Sequence, residues 1–172
     1  YLETKSVLAT GIVGGSYMLL IAFCSIIFGT IVDHHKKKSV MMFASIFTFV
    51  MFVLAGLLYV MVPHEALLAL GQPLFWVFIL VILIGAVVEN MRNIALSTTV
   101  TILVPKDKRA NANGLVGAVQ GIGFIVTSVF SGLAIGLLGM GWTLGIALAL
   151  TAVAMVHMWF VQIPEKGIVH DP

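Results

Sequence analysis

The 172-residue chain is 60% hydrophobic and only 9% charged, and its mean hydropathy is +1.14. Soluble domains carry about 25% charged residues, so this composition excludes a water-soluble globular protein. The single cysteine, Cys24, excludes an internal disulfide framework and offers no metal-ligand spacing.

Five long apolar runs follow one another along the chain, and each reaches the length of about 20 residues that a helix needs to cross the hydrocarbon. They cover residues 11–32, 39–62, 73–104, 113–138 and 142–162. The runs are continuous rather than alternating, which favours helices over the strands of a barrel. We therefore predict an all-α integral membrane protein, with one partial transmembrane domain of five spanning helices over residues 1–172.

The basic residues follow the first, third and fifth runs, which puts them on one side of the membrane if each run crosses once. Seven of the nine Lys and Arg residues belong to this set: Lys36, Lys37, Lys38, Lys106, Lys108, Arg109 and Lys166. The positive-inside rule makes their side cytoplasmic. We predict a multi-pass protein of the cytoplasmic membrane, with the amino end outside and the carboxyl end inside.

Glycines recur at four-residue spacing within the runs. The pairs are Gly11/Gly15, Gly117/Gly121, Gly132/Gly136 and Gly141/Gly145. Small residues one turn apart let helices approach closely in lipid, so this spacing predicts a compact bundle.

The connection after the first run places a glycine, an acid and two bases at regular intervals. Gly29 is followed four residues later by Asp33, and Lys37 and Lys38 lie four and five residues beyond it. The glycine permits a tight approach at a helix end, and the aspartate can pair with a base or a helix N-terminus. The lysines can interact with anionic headgroups, or with carboxylates and helix C-termini that become available in one conformation. The alternative is a solvated loop with no further role.

This spacing resembles the loop motif of the major facilitator superfamily between its second and third helices, G-x-x-x-D-[RK]-x-G-[RK]-[RK]. Two positions depart from it, because His34 replaces a basic residue and Lys36 replaces the second glycine. The segment LVPKDKRANANGLVGAVQGIG (103–123) is similar to the family's connection between helices four and five, especially in efflux-type members. The resemblance implies a gating role for Gly29, Asp33 and the lysines.

The resemblance also implies an architecture. The five runs would be helices two to six of a six-helix amino-terminal half, with the first helix before Tyr1 and a second half after Pro172. Helices eight to twelve are the alternative. Drug/proton antiporters of the family often carry a Gly-Pro signature in helix five, and the corresponding segment TSVFSG (127–132) lacks it.

The third run contains the sequence VENMRNI (88–94), which is unusually polar for a helix in lipid. At helical spacing Glu89 can meet Arg92 and Asn93, and Glu89, Asn93, Ser97 and Thr101 form one polar stripe. Charges at the bilayer centre cost about 2.5–3.5 kcal/mol each. The stripe should therefore face a watery cavity or the interior of the bundle.

Glu89 has the chemistry of a proton-coupling group, because a desolvated carboxylate can take up a proton and release it when water or a cation approaches. Arg92 would be its partner or an anion contact, and Asn90 and Gln120 are further candidates for the pathway. The alternative is a structural Glu–Arg pair that fixes helix packing.

Three classes of function follow from these features. The first is a secondary transporter that moves a small solute by alternating access, with proton-coupled drug or metabolite efflux as the specific expectation. The second is a membrane-embedded enzyme, although the sequence has no catalytic or metal-ligating constellation and no cofactor motif. The third is a receptor or scaffold bundle. The expected partners are the lipid bilayer, the solute, the proton and the remaining helices of the transporter, without nucleic acid.

Overall fold

The structure, a computed structural model, describes residues 6–165, and all regular structure in this range is helical. The elements are α1 (Val7–His34), α2 (Lys37–Met61), the short α3 (His64–Leu68), α4 (Pro73–Leu103), a 3-10 turn (Lys106–Lys108) and α5 (Arg109–Phe160). The all-helical prediction is confirmed for the described residues.

The amino end of α1 is defined by a side-chain cap. Ser6 has an extended backbone, and its hydroxyl accepts a hydrogen bond of 3.2 Å from the N–H of Ala9. This cap satisfies one of the four free N–H groups of the first turn. The helix consequently begins at Val7, before the run predicted from residue 11, and continues to His34.

The helix α5 contains a chain reversal. A straight helix of its 52 residues would be about 78 Å long, more than twice the roughly 30 Å of the hydrocarbon core. Gly139 lies inside it with φ 82° and ψ 172°, a conformation open to glycine but strained for other residues. The two stretches, 109–138 and 140–160, therefore correspond to two membrane crossings joined at this residue.

The second stretch of α5 runs antiparallel to α2. A Cβ built on Gly141 would lie 3.3 Å from the Tyr59 ring, and one on Gly56 would lie 4.0 Å from Leu148. At the other end of α2, Met158 packs against the cluster that contains Val40. The start of α2 and the end of α5 consequently meet, together with the end of α1, at what we call the basic end of the bundle.

The core is formed mainly where α4 packs against α2 and α1. At the basic end the buried cluster consists of Val32, Val40, Met41, Ala44, Met91 and Ala95. At the opposite end a smaller cluster joins Ala55 of α2, Leu67 of α3 and Phe78 of α4. Outside these clusters many large apolar side chains are exposed, as a surface that contacts lipid requires.

The glycine pairs do not form the close contacts that their spacing predicted. Within the described residues, a Cβ added to seven of the eight paired glycines meets nothing within 4 Å, and only Gly141 has a close neighbour. The tightest glycine contact lies instead at Gly85, which belongs to none of the pairs. In the described part of the chain, the four-residue repeat therefore does not mark the surfaces on which the helices pack.

Candidate functional site

The polar stripe of α4 lies on the side of the helix that faces away from its packed core. Beyond Gly85, the buried residues of α4 recur every four positions: Val87, Met91, Ala95 and Thr99. The stripe is displaced from them by two residues, which is about 200° around the helix. In agreement, Asn93, Ser97 and Thr101 are exposed and Glu89 is half-buried.

Glu89 and Arg92 form an ion pair near the midpoint of the 31-residue α4. Arg92 Nε contacts Glu89 Oε1, and the exposed fractions of the two side chains are 28% for Glu89 and 41% for Arg92. The second carboxylate oxygen, Oε2, is buried and has no hydrogen-bond partner in the described part of the chain. A buried carboxylate oxygen without a donor is costly. The cost falls when the group is protonated, or when a water molecule or a cation contacts the oxygen.

The amides predicted to line the pathway have no side-chain partner in the part of the chain that the structure describes. Asn90, Asn93 and Gln120 make no side-chain hydrogen bond to any other residue between 6 and 165. Asn90 is half-buried beside the ion pair, whereas Asn93 and Gln120 are exposed. The structure therefore places two of the three amides within one helical turn of Glu89 and the third on a different helix.

Gln120 lines a groove of about 430 Å³ between α4 and the first stretch of α5. Its other lining residues are Ser97, Thr98, Thr101, Asn113, Val116 and Gly117. The groove lies on the basic-end side of Glu89, because Ser97 follows Glu89 by eight residues, or about 12 Å along the helix. It contains hydroxyl and amide groups and no ionisable side chain.

The turn between α1 and α2 is built without a left-handed residue. His35 (φ −128°, ψ 160°) and Lys36 (φ −59°, ψ 127°) are both extended, so the turn does not require the glycine that the family motif has at position 36. At Gly29 an added Cβ would meet nothing within 4 Å. The tight approach at Gly29 consequently stays a prediction.

Lys37 is almost completely buried, with 1% of its surface exposed. Its Nζ donates hydrogen bonds to the carbonyl oxygens of Val32 (2.6 Å), His35 (2.9 Å) and Asp33 (3.4 Å). His34 and His35 are hydrogen-bonded through Nδ1 to the carbonyls of Thr30 and Ile31. Side chains thus satisfy the carbonyls of Ile31, Val32 and Asp33, three of the four that the last turn of α1 leaves free.

Asp33 and Lys36 are the charged groups of this turn that have no partner between residues 6 and 165. Asp33 is half-buried, and Lys36 is exposed. Lys38, by contrast, donates from Nζ to the carbonyl oxygen of Trp159 at 2.9 Å. Of the four motif residues, only Asp33 has a charged side chain available for a contact that forms and breaks.

Glu165 is a component of the basic end that the sequence did not suggest. Its carboxylate accepts hydrogen bonds from the backbone N–H groups of Lys37 (2.8 Å) and Lys38 (2.9 Å). The two partners are separated from Glu165 by more than 120 positions in the chain. The only signal in the sequence is an acid three residues after the end of an apolar run at the basic end.

Metal binding has no support in the described residues, where no group of three or more His, Cys, Asp or Glu side chains could hold an ion.

Four helical segments are long and apolar enough to cross a membrane: Val7–His34, Lys37–Met61, Pro73–Leu103 and Lys106–Phe160. The last of these contains the reversal at Gly139.

Comparison with protein families agrees with these features. Residues 3–171 match the sequence profile of the Major Facilitator Superfamily, which covers nearly the whole chain. No curated protein and no solved structure matches the chain. The family consists of membrane transporters, and the matched range includes both the α1–α2 turn and the polar stripe of α4. The chain is therefore a multi-pass membrane segment that belongs to the major facilitator superfamily.

Proposed function

We propose that this chain is part of a secondary active transporter that couples the movement of a small solute to protons by alternating access. The observation that carries the proposal is the Glu89–Arg92 pair, half-buried at the middle of a membrane-spanning helix, with Glu89 Oε2 lacking a donor within residues 6–165. Ionisable residues in the membrane are functional candidates by default. A proton on Glu89 would remove the charge that attracts Arg92, so proton binding and the conformation of the pair are linked.

The groove between α4 and α5 supplies a route from the basic end toward this pair. Its hydroxyl and amide groups offer donors and acceptors to a hydrated solute without holding it by charge. The basic end is cytoplasmic in this proposal, in accordance with the positive-inside rule. The resemblance of residues 103–123 to efflux-type members favours export, and the remaining helices of the transporter would close the pathway.

Asp33 acts as a gating contact in the same proposal. It is half-buried and unpaired in the described range, while Lys37 and Lys38 are bound to carbonyl groups of α1 and α5. A helix N-terminus or a base on the other half of the transporter could satisfy Asp33 when the basic end is closed. Membership in a transporter family favours this role over an enzyme or a receptor bundle.

The decisive experiment uses the full-length protein in proteoliposomes with an imposed pH gradient. Proton flux would be recorded with an internal pH dye while amphiphilic cations, neutral metabolites and carboxylates are added in turn. A solute that is moved by the gradient supports transport, and Glu89→Gln should abolish its gradient-driven movement while exchange or binding remains measurable. The amide keeps the shape of the carboxylate but cannot gain or lose a proton.

Glu65→Gln is the matched control, because Glu65 is an exposed acid in α3 without a partner in the described residues. It should leave the proton flux unchanged. Unchanged proton-driven transport by a well-folded Glu89→Gln protein would reject the coupling role of Glu89. Absence of any solute-dependent flux with the wild-type protein would reject proton-coupled transport of these three solute classes.

A further inference from the structure

The first turn of α2 is capped by a carboxylate from the far end of the chain. Lys36 occupies the N-cap position and provides no side-chain hydrogen bond, so the N–H groups of the first turn lack a local acceptor. The two carboxylate oxygens of Glu165 accept from the N–H groups of Lys37 and Lys38, one oxygen to each. The charge also lies at the positive end of the helix dipole.

The same segment is attached to α2 a second time. Lys38 donates from Nζ to the carbonyl oxygen of Trp159, in the last turn of α5. Lys38 thus binds the chain on both sides of residues 160–164, through its N–H to Glu165 and through its side chain to Trp159. This double attachment holds the exit of α5 against the start of α2.

Lys37 extends the attachment to α1, because its Nζ binds the carbonyl groups of Val32 and Asp33. We call Lys37, Lys38 and Glu165 the clasp. It joins the carboxyl end of α1, the amino end of α2 and the carboxyl end of α5. The turn between α4 and α5 lies outside the clasp, since its hydrogen bond from Arg109 Nε to the Val104 carbonyl is local.

We propose that Glu165 is a positioning residue for the α1–α2 turn, and that the clasp makes the ends of α1, α2 and α5 move together during transport. The proposal rests on the proposed transport function. Glu165 does not touch the solute in this scheme. It keeps the first turn of α2 helical, which fixes the position of Asp33 four residues before Lys37.

A purely structural cap would lower stability without changing the transport cycle, so the test needs two independent readouts. The first readout is the exposure of Val40, which reports whether the first turn of α2 frays. Val40 is 4% exposed beneath the first turn of α2, and fraying of that turn would expose it. In full-length protein without other cysteines, a Val40→Cys residue would be labelled with a membrane-impermeant maleimide.

The second readout separates turnover from solute binding. The full-length protein carrying Glu165→Ala or Glu165→Gln would be assayed in proteoliposomes for maximal rate and for the solute concentration at half-maximal rate. Asp107→Ala is the matched control, because Asp107 is an exposed acid at the basic end without a partner within residues 6–165. The labelling experiment would use the same three variants.

We expect Glu165→Ala to raise the labelling rate about tenfold and to lower the maximal rate by a similar factor, because two charge-assisted hydrogen bonds to the helix end are lost. Glu165→Gln should give an intermediate effect, since its amide oxygen can accept but carries no charge. The solute concentration at half-maximal rate should stay unchanged, and Asp107→Ala should match the wild type.

Equal labelling rates in all variants would show that Glu165 does not hold the first turn of α2, and this result would overturn the proposed clasp. Increased labelling with an unchanged maximal rate would show a structural cap and overturn the positioning role. If the Glu165→Ala protein does not fold, the comparison of Glu165→Gln with Asp107→Ala decides by the same criteria. If the wild-type protein shows no transport, the proposed function fails and the positioning role with it, whereas the labelling rates still decide whether the clasp exists.

Discussion

Gly85 of α4 lies so close to α2 that a Cβ built on it would be 3.0 Å from the Cβ of Met51. One turn earlier in α2, the hydroxyl of Thr48 donates a hydrogen bond of 2.9 Å to the Gly85 carbonyl oxygen. Both Gly85 and Thr48 are buried. The absence of a side chain at Gly85 therefore permits this close contact between the two helices.

We expect Gly85→Ala to lower the free energy of unfolding by up to about 2 kcal/mol, because overpacking costs roughly 1–3 kcal/mol while alanine regains about 1 kcal/mol of helix propensity. Met51 Cβ is attached directly to the backbone and cannot rotate away. Thermal unfolding of the purified protein in detergent measures the change. Gly56→Ala is the control, since its added Cβ lies at an ordinary 4.0 Å from Leu148. A Gly85→Ala protein as stable as the Gly56→Ala protein would contradict the close approach.

Lys37→Met should destabilise the basic end, because methionine keeps an unbranched apolar side chain but removes the donor that binds the Val32 and His35 carbonyls. A hydrogen bond from a charged group contributes about 1.5–3 kcal/mol, so we expect a loss of that order. Lys36→Met, at an exposed and unpaired neighbour, should change stability by less than about 0.5 kcal/mol. The unfolding midpoints of the two proteins test this expectation. Similar midpoints would show that the hydrogen bonds of Lys37 do not stabilise the end of α1.

Arg92→Ala should be more harmful than Arg92→Lys, because alanine leaves the half-buried Glu89 carboxylate without a counter-charge, whereas lysine keeps the charge and loses the planar guanidinium. The pair is partly exposed. Breaking it should therefore lower the free energy of unfolding by an amount between two limits: about 0–1 kcal/mol for a surface pair and about 3–5 kcal/mol for a buried pair. Folded yield and gradient-driven transport would be measured together. If both variants fold less well but transport normally, the pair is structural.

Asp33→Asn should slow the transport cycle more than it weakens solute binding, because the proposed contact belongs to the closed state of the basic end. Maximal rate and solute affinity of the full-length protein separate these effects. Asp107→Asn is the control, because Asp107 is an exposed acid in the turn between α4 and α5, which also lies at the basic end. Normal transport by a normally expressed Asp33→Asn protein would identify Asp33 as a solvated loop residue.

Much of the fold and part of the candidate site could be predicted from the order of residues. The apolar runs predicted the helices, because lipid leaves the backbone few alternatives. The Glu89–Arg92 pair was predictable as well, since residues three apart meet on any helix and no other element is needed to bring them together. The exposure of the polar stripe could not be predicted, because it depends on which side of α4 packs against α1 and α2.

The sequence by itself thus determined the membrane class, the family, the helical runs and the residues that share a helix face. Only the tertiary structure decided what the basic residues bind at the basic end. Lys37, Lys38 and Arg109 donate to carbonyls, and Glu165 accepts from N–H groups. Every residue carries a carbonyl group and nearly every one an N–H group. The partner of each side chain therefore depends on which backbone segment lies next to it in the folded protein. The residue types alone do not specify that segment.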